Sequence, residues 1–242
     1  MLDKSHHHWP PTHATAPLAV LVSGGLDSAV LLGEALLAYP VVYPISIRTG
    51  AIWESVEHEH LLKFLEGVRT PALKPLIELA FPVGDLYGEH WSLTGRGTPD
   101  DQSADDSVYL PGRNVILLAK ALLWCHLNGV HELATAPLAS NPFPDATPAF
   151  YTGMANAVNR SVRGNVRVLR PYAVLELSKA DVLKRGARMP LQHTFSCIHP
   201  VRGRHCGHCN KCAERQRGFT EAGMDDPTSY SVRSANGVQL TA

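Results

Sequence analysis

The sequence lacks three features that would point to a membrane, a nucleic acid or secretion. No apolar run reaches the roughly 18 residues that a membrane-spanning helix needs. Lysine plus arginine equal aspartate plus glutamate at 22 each, so no net charge draws the chain to nucleic acid or to a membrane surface. The N-terminus does not show the basic-then-apolar layout of a signal peptide. We therefore expect a cytoplasmic protein with neither a membrane nor a nucleic acid as partner.

Cysteine is also scarce, and its distribution argues against a disulfide framework. The chain has 5 cysteines in 242 residues, and four of them form a C-x8-C-x2-C-x2-C pattern. In a reducing compartment such a cluster favours a metal. Each C-x2-C step lets two thiolates reach one ion, and four thiolates complete a tetrahedral zinc site. We predict one structural Zn²⁺ per chain, bound by Cys197, Cys206, Cys209 and Cys212.

An iron–sulfur cluster is the alternative for these cysteines, because C-x2-C-x2-C also opens bacterial ferredoxin motifs. Those motifs continue to a fourth cysteine that is followed by proline. Here the fourth cysteine lies upstream, and Ala213 follows the last one. Zinc is therefore the preferred ion.

Hydrophobic residues make up 45% of the chain, which is enough for a sizeable core. Short β-branched runs alternate with longer amphipathic ones, a pattern typical of βαβ units around a parallel sheet. We predict an α/β fold with a Rossmann-like parallel sheet of about five strands, helices on both faces and a small C-terminal zinc-binding helical tail. The predicted divisions are a flexible N-terminal arm (1–17), a nucleotide-binding α/β domain (18–190) and a zinc-binding C-terminal region (191–242).

The predicted elements follow the periodicity. Strands are expected at 18–22, 41–47, 76–83, from 131 and at 166–172, and helices at 28–37, from 54, at 114–127, from 145 and from 178. Pro44 is awkward for a central strand. Residues 84–106 are rich in glycine, aspartate, serine and threonine and predict a mobile loop near the ligand edge of the sheet. Asp145 and Ser178 are predicted to cap the helices that follow them.

The segment "SGGLDS" (23–28) lies between the first strand and the first helix. Backbone N–H groups at a helix start bind anions, and glycine lets a phosphate approach closely. The Walker spacing with its lysine is absent, and so is the third glycine of the dinucleotide motif. Asp27 beside a phosphate would be repulsive without a cation between them, so Mg²⁺ is implied.

This segment resembles the pyrophosphate-binding loop of the PP-loop ATPases, which split ATP between its α and β phosphates. A cationic group must then neutralise the leaving group, and Arg113 and Lys179, each near a helix start, are the candidates. The resemblance implies ATP binding by Ser23, Gly24, Gly25, Leu26, Asp27, Ser28 and Arg113. The implied catalytic residues are Asp27, Ser28, Arg113 and Lys179.

Motifs spread over most of the chain resemble, in order, those of the 7-cyano-7-deazaguanine synthase family. They are "SGGLDS", "YLPGRNVILL", "NPFPDATPAF", "LRPYAVLELSKADV", "HTFSCIHP", "CGHCNKC" and "GFTEAGMDDPTSY". The resemblance implies a PP-loop ATPase fold, a four-cysteine zinc site and a homodimer. It also implies ATP-dependent conversion of 7-carboxy-7-deazaguanine, with ammonia, to the amide and then the nitrile in queuosine biosynthesis. Phe143, Asp145 and Phe150 are the implied substrate-binding residues.

The chain departs from the family pattern at two places on the substrate side. Tyr-Gly-Gln after the second strand is replaced by "IRTGAIWE", and Pro-Asp-Cys-Arg is replaced by Pro144-Asp145-Ala146-Thr147. One alternative is therefore a related ligase that stops at the amide or activates another small-molecule or protein carboxylate. A second is a PP-loop tRNA thiolase, whose usual loop has lysine where Leu26 stands. A third is a fold that binds nucleotide without turnover.

Overall fold

The alternation of apolar runs and amphipathic segments produces a five-stranded parallel sheet. The computed structural model describes residues 9–12 and 14–232. Its strands are β1 (Leu18–Leu21), β2 (Val42–Arg48), β3 (Ile77–Ala80), β4 (Glu132–Ala134) and β5 (Arg167–Leu169). Their order is β3-β2-β1-β4-β5, and every neighbouring pair is parallel. The predicted fold class is confirmed.

Helices cover both faces of the sheet. They are α1 (Leu26–Ala38), α2 (Glu54–Gly67), α3 (Gly84–Tyr87), α4 (Trp91–Thr94), α5 (Arg113–Leu127), α6 (Pro148–Val162), α7 (Pro171–Val174), α8 (Lys179–Arg185) and α9 (Asn210–Ala222). One core packs α1, α2, α8 and α9 on one face, and a second packs α5 and α6 on the other. Within the described ranges, no helix has the length and apolar character needed to cross a bilayer.

The strand order fixes where a ligand can bind. The chain leaves β1 toward β2 on one side, and later returns to place β4 on the other side of β1. In open α/β sheets, ligands bind outside the carboxyl ends of the strands at such a switch point. The loop between β1 and α1 lies at that position.

Pro44 lies inside β2 without disturbing the sheet. The amide N–H of Val42, two residues earlier, donates to Ala72 on the β3 side, so the nitrogen of Pro44 faces the same side. The β3 ladder begins only with the pairing of Ile45 and Ile77, after Pro44. The missing proline donor therefore costs no ladder hydrogen bond.

Two local expectations were wrong. Residues 84–106 were predicted as one mobile loop, but they contain α3 and α4 because side chains such as His90, which accepts from Ser92 N, cap local turns. Asp145 was predicted to cap the following helix. Instead, Thr147 Oγ1 caps α6 by accepting from Phe150 N at 3.2 Å. Ser178 does cap α8, in a reciprocal capping box with Asp181.

The segment before β1 is partly packed on the domain. Its residues 1–8 and 13, including the histidines at 6–8, lie outside the described residues. Trp9 is buried, and its indole N–H donates to Glu34 Oε2 at 3.1 Å. Glu34 also accepts from Tyr172 OH at 2.8 Å and from Arg185 at 2.8 Å. This buried carboxylate thus has a full set of partners.

A buried arginine fastens the C-terminal region to the domain. Arg215 is 2% exposed, and its guanidinium donates to Thr228 Oγ1 at 2.6 Å, Thr194 Oγ1 at 2.8 Å and Leu191 O at 3.1 Å. Burial lowers the pKa of Arg215, and the nearby Asp226 opposes that effect. These contacts hold α9 against the turn that precedes the first cysteine.

We expect Arg215→Met to lower the free energy of unfolding by about 3 kcal/mol, because the buried hydroxyls of Thr194 and Thr228 would lose a charged donor and Asp226 would lose its nearby cation. Urea denaturation measures the change. Arg217→Met on the same helix is the matched control, because its side chain is 54% exposed and should shift stability by less than about 0.5 kcal/mol. Equal stability of the two variants would show that this hydrogen-bond set does not hold the tail.

Candidate active site and metal centre

A cavity of about 360 Å³ opens at the carboxyl ends of β1, β2 and β4. Its wall includes the loop from Val22 to Ser28 and the starts of α2, α5, α8 and α9, together with the segments 135–145 and 195–198. The size suits a small ligand. The switch point predicted from topology is thus a real concavity.

The glycine loop is pre-folded by its own serines. Ser23 Oγ accepts from Gly25 N at 3.1 Å, and Ser28 Oγ accepts from Ser23 N at 3.3 Å while donating to Gly25 O at 3.1 Å. Gly24 has a φ of +98°, and a Cβ there would lie 2.8 Å from the carbonyl oxygen of Glu57. Only glycine fits this position. The N-terminal turn of α1 therefore faces the cavity as a ready anion site.

Asp27, Lys179 and Glu214 meet at the mouth of this loop. Lys179 Nζ lies 2.6 Å from Asp27 Oδ2 and 2.8 Å from Glu214 Oε1, and Lys211 contacts the other oxygen of Glu214. Asp27 Oδ1 is buried and has no hydrogen-bond partner among the described residues. A buried carboxylate oxygen without a partner, next to an anion-binding turn, fits a hard divalent cation such as Mg²⁺.

The electrostatics keep these groups charged. Burial by itself lowers the pKa of Lys179, but Asp27 and Glu214 outweigh it and the pKa is raised. Burial likewise raises the pKa of Glu214, but Lys179 and Lys211 lower it to about 2. Both side chains are therefore ionised at neutral pH.

A second group of polar side chains lies deeper in the cavity. Arg113 is the first residue of α5, and its Nε is buried without a hydrogen-bond partner among the described residues. Glu57 of α2 faces it. Burial raises the pKa of Glu57 to about 8, although Arg113 pulls it down. At neutral pH this carboxyl is protonated, and it loses its proton in the mildly alkaline range.

Asp145 caps α5. Its Oδ2 accepts from Asn114 N at 3.2 Å, and its backbone carbonyl accepts from Asn114 Nδ2 at 3.0 Å. Asp145 Oδ1 faces the cavity and has no partner among the described residues. This carboxylate therefore fixes the helix start that carries Arg113, and it leaves one oxygen for a ligand.

Aromatic rings wall the same end of the cavity. Trp53 and Trp91 stack with centroids 5.7 Å apart, and Phe143 packs on Tyr109 at 5.1 Å. Phe150 does not reach the cavity: it lies on α6 against the second core, with an edge contact to Tyr151. Its predicted substrate-binding role has no support in this geometry.

The structure gathers the predicted ATP-binding residues in one place, except that the side chain of Leu26 is buried in the first core. Ser23, Gly24, Gly25, Asp27 and Ser28 form the loop, and Arg113 and Lys179 reach the cavity from α5 and α8. Their individual roles stay predictions.

Sequence reasoning missed much of the cavity lining, including Trp53, Glu57, Trp91, Lys211 and Glu214. One signal was available for Glu57: it is the second of two acidic residues, after Glu54, at helical spacing on the turn just after β2. Glu54 accepts from Thr49 N at 2.8 Å, from Thr49 Oγ1 at 2.7 Å and from Gly50 N at 2.8 Å, and so folds this turn.

The four clustered cysteines converge on one point. All four Sγ atoms lie within 4.8 Å of one another, with Cys206 to Cys212 and Cys197 to Cys209 both at 3.8 Å. Tetrahedral coordination with zinc–sulfur bonds of about 2.3 Å separates the sulfurs by about 3.8 Å. The donor set therefore fits a single thiophilic ion.

Backbone amides support these sulfurs. Cys206 N donates to Cys197 Sγ at 3.2 Å, and Cys209 N donates to Cys206 Sγ at 3.2 Å. His199 N also donates to Cys197 Sγ, at 3.3 Å. Such donors offset the negative charge of thiolates and orient them. The fifth cysteine, Cys125, is buried in the second core, where burial raises the pKa of its thiol to about 12.

Comparison with known proteins identifies the family of the chain. The family model described as queuosine biosynthesis protein QueC matches residues 18–223. The chain belongs to the QueC family. Curated relatives named 7-cyano-7-deazaguanine synthase include that of Xanthomonas axonopodis pv. citri, 33% identical over 230 residues, with 89% of this chain and 98% of the relative covered. That of Syntrophobacter fumaroxidans is 32% identical over 233 residues, with 87% and 94% covered.

Among solved structures, the chain is similar to the U34-tRNA thiolase NcsA from Methanococcus maripaludis. The identity is 16% and the TM-score 0.45, with 82% of this chain and 64% of that chain covered. The family match and the curated relatives named 7-cyano-7-deazaguanine synthase support an enzyme of the queuosine pathway, as the sequence motifs predicted.

We expect Cys209→Ser to lower both bound metal and stability. Cys209 supplies one of four sulfurs and is the N-cap residue of α9, so its loss opens the coordination shell and frees the helix start. Metal per chain is measured by elemental analysis, and stability by thermal melting.

Cys125→Ala is the control for this variant. It removes a buried thiol from the apolar core, so stability falls modestly while the metal content stays unchanged. Full metal and an unchanged melting temperature in Cys209→Ser would contradict a structural metal site.

Proposed function

We propose that the protein is an ATP-dependent, AMP-forming ligase that activates 7-carboxy-7-deazaguanine and converts it, with ammonia, to the amide and then to the nitrile. The observation that carries this is the Asp27–Lys179 pair at the mouth of a pre-folded glycine loop, at the switch point of the sheet. Family membership and the named relatives support 7-carboxy-7-deazaguanine as the acid that is activated.

The proposed chemistry is two adenylations. A carboxylate is a poor electrophile, so its oxygen first attacks the α phosphorus of ATP, and pyrophosphate leaves. The nitrogen of ammonia then attacks the acyl carbon, AMP leaves with the former carboxylate oxygen, and one proton is lost to give the amide. A second ATP is attacked by the amide oxygen; loss of AMP and of two protons from nitrogen leaves the nitrile.

The chain's own residues have distinct tasks in this scheme. The N–H groups of Gly24 and of the start of α1 hold the leaving pyrophosphate. Lys179 neutralises its developing charge, and Ser23 and Ser28 keep the loop in shape. Asp27 Oδ1 would hold Mg²⁺, which neutralises phosphate charge when bound. The main contribution of the cavity to catalysis is to hold the activated acid and ammonia close together and away from water.

Arg113, Glu57 and Asp145 serve the acceptor end. Arg113 Nε and Asp145 Oδ1 are buried without partners among the described residues, and both residues line the cavity, so a polar, planar ligand could use one as donor and the other as acceptor. Glu57 is suited to accept the proton that the attacking nitrogen releases, because its pKa of about 8 matches that task.

We further propose that the metal is a structural Zn²⁺ and that the enzyme acts as a homodimer, as the family resemblance implies. The sulfur spacing of 3.8 Å supports a single ion. A four-iron cluster binds each thiolate to a different iron and spreads the sulfurs further apart. A colourless protein with zinc would support this, and a brown one with iron would contradict it.

The aromatic wall of the cavity favours a second candidate function. Trp53 lies in the segment where the chain departs from the family's Tyr-Gly-Gln, and it stacks on Trp91 at the cavity. A related ligase that stops at the amide, or that takes another carboxylate, is consistent with that change. The tRNA thiolase alternative is disfavoured, because Cys125 is buried with a raised pKa and the sulfur spacing of the other four cysteines fits a single ion better than an iron–sulfur cluster.

Asp27→Ala is expected to lower AMP release at least about 100-fold while leaving the fold intact, since it removes the carboxylate beside the leaving group. The assay contains ATP, Mg²⁺, ammonium and 7-carboxy-7-deazaguanine, with nucleotides and deazapurines resolved by mass spectrometry. Asp85→Ala, at an exposed position of α3, is the control. Undiminished turnover in Asp27→Ala would remove the assigned role.

The products of the wild-type protein separate the two candidate functions. AMP with the nitrile supports the full reaction, and AMP with only the amide marks a truncated one. If no AMP forms with this acid, the proposed acceptor is wrong.

We expect kcat/KM to rise through about pH 8 as Glu57 loses its proton, and Glu57→Gln to abolish that rise. The rate rises with pH because a general base must be unprotonated to act, and burial has raised the pKa of Glu57 into this range. Free ammonia must be held constant at each pH, since ammonium titrates in the same direction. A profile that is identical in the variant would show that another group takes the proton.

A further inference from the structure

The helix that follows the metal cluster also enters the cavity. Cys209 is the N-cap residue of α9 and Cys212 lies on its first turn, so metal ligation fixes where this helix begins. Lys211 and Glu214 lie on the same two turns, and both line the cavity. Lys211 Nζ contacts Glu214 Oε2, and Glu214 Oε1 contacts Lys179 Nζ at 2.8 Å.

The surface of α9 is shaped to receive the stem of Lys179. Gly218 lies one turn after Glu214, and a Cβ at Gly218 would stand 2.6 Å from Lys179 Cγ. The lysine stem therefore runs directly over the backbone of α9, and its ammonium ends between Glu214 and Asp27. Side-chain exposures of 17% for Lys179 and 28% for Glu214 separate this pair from ordinary surface salt bridges.

We propose that α9 is a working part of the active site: Glu214 is a positioning residue that holds the Lys179 ammonium beside the glycine loop, and Lys211 is a second cation for the phosphate groups. This inference rests on the proposed ATP chemistry. It assigns to the metal-bearing tail a task in phosphate binding in addition to its structural one.

Charge balance explains why Lys179 needs two carboxylates. Asp27 would also hold Mg²⁺ through Oδ1, and a dication on that oxygen would weaken the attraction between Oδ2 and the Lys179 ammonium. Glu214 is a second partner, on α9, so Lys179 would keep its position when Asp27 holds the cation. The carboxylates of Asp27 and Glu214 and the ammonium groups of Lys179 and Lys211 have a net charge of zero. In the proposed complex, both ammonium groups attract the phosphates.

The test compares Glu214→Gln and Lys211→Met with Glu221→Gln, an exposed position on the same helix. Binding of Mg²⁺ with a non-cleavable α,β-methylene ATP is measured by calorimetry, and AMP release gives kcat. Glu214→Gln should lower kcat about tenfold or more without weakening nucleotide binding, because a negative charge near the phosphates is removed while positioning is lost. Lys211→Met should raise Kd about three- to tenfold, because an attractive charge is lost. Glu221→Gln should change neither.

The split between kcat and Kd distinguishes positioning from mere stability. Loss of the fold would weaken nucleotide binding and kcat together, whereas displacement of the Lys179 ammonium lowers kcat alone. Glu214→Asp keeps a carboxylate opposite Lys179 and should restore part of kcat.

Melting temperature and metal content are recorded for every variant. If Glu214→Gln fails to fold, Glu214→Asp, with its shorter carboxylate, provides the same comparison of kcat with Kd. A wild type that neither binds the ATP analogue nor releases AMP would overturn the proposed function and this inference with it. A wild type that does both, with kcat unchanged in the Glu214 variants, would overturn the inference alone.

Discussion

The site depends on one ammonium group held between two carboxylates. Lys179 joins Asp27, 152 residues earlier in the chain, to Glu214, 35 residues later, and so connects α1, α8 and α9 at a single point. Each of the three charges would be costly at this depth without the other two. The arrangement turns three remote segments into one wall of the cavity, and it places a cation where the glycine loop ends.

What the sequence predicts well is local. The glycine loop could be predicted because Ser23, Gly24, Gly25 and Asp27 are adjacent, and the hydrogen bonds that shape the loop lie within it. The convergence of the four cysteines could be predicted for the same reason, since C-x2-C geometry is set by a few residues. The parallel sheet could be predicted from the alternation of apolar runs and amphipathic segments. The order of its strands creates the switch point beside β1.

What the sequence does not predict depends on packing between distant elements. Glu214 and Lys211 look like surface charges on a polar helix, and only the docking of α9 on α8 brings them to the cavity. Asp145 has a good helix-cap residue type before α6, but the chain turns so that it caps α5 instead. Trp53 and Trp91 meet because the turn folded by Glu54 faces α4, a contact that no periodicity encodes.

The buried carboxylate of Glu34 gives α1 and α8 a second fastening. Asp27 and Glu34 are seven residues apart on α1, which is about 10 Å along a helix. Their partners, Lys179 and Arg185, occupy the first and last positions of α8. Two ion pairs at opposite ends of the contact prevent either helix from sliding past the other by a turn. The separation between the glycine loop and the Lys179 ammonium is therefore set by the fold itself, so the proposed reaction would need little reorganisation of these groups.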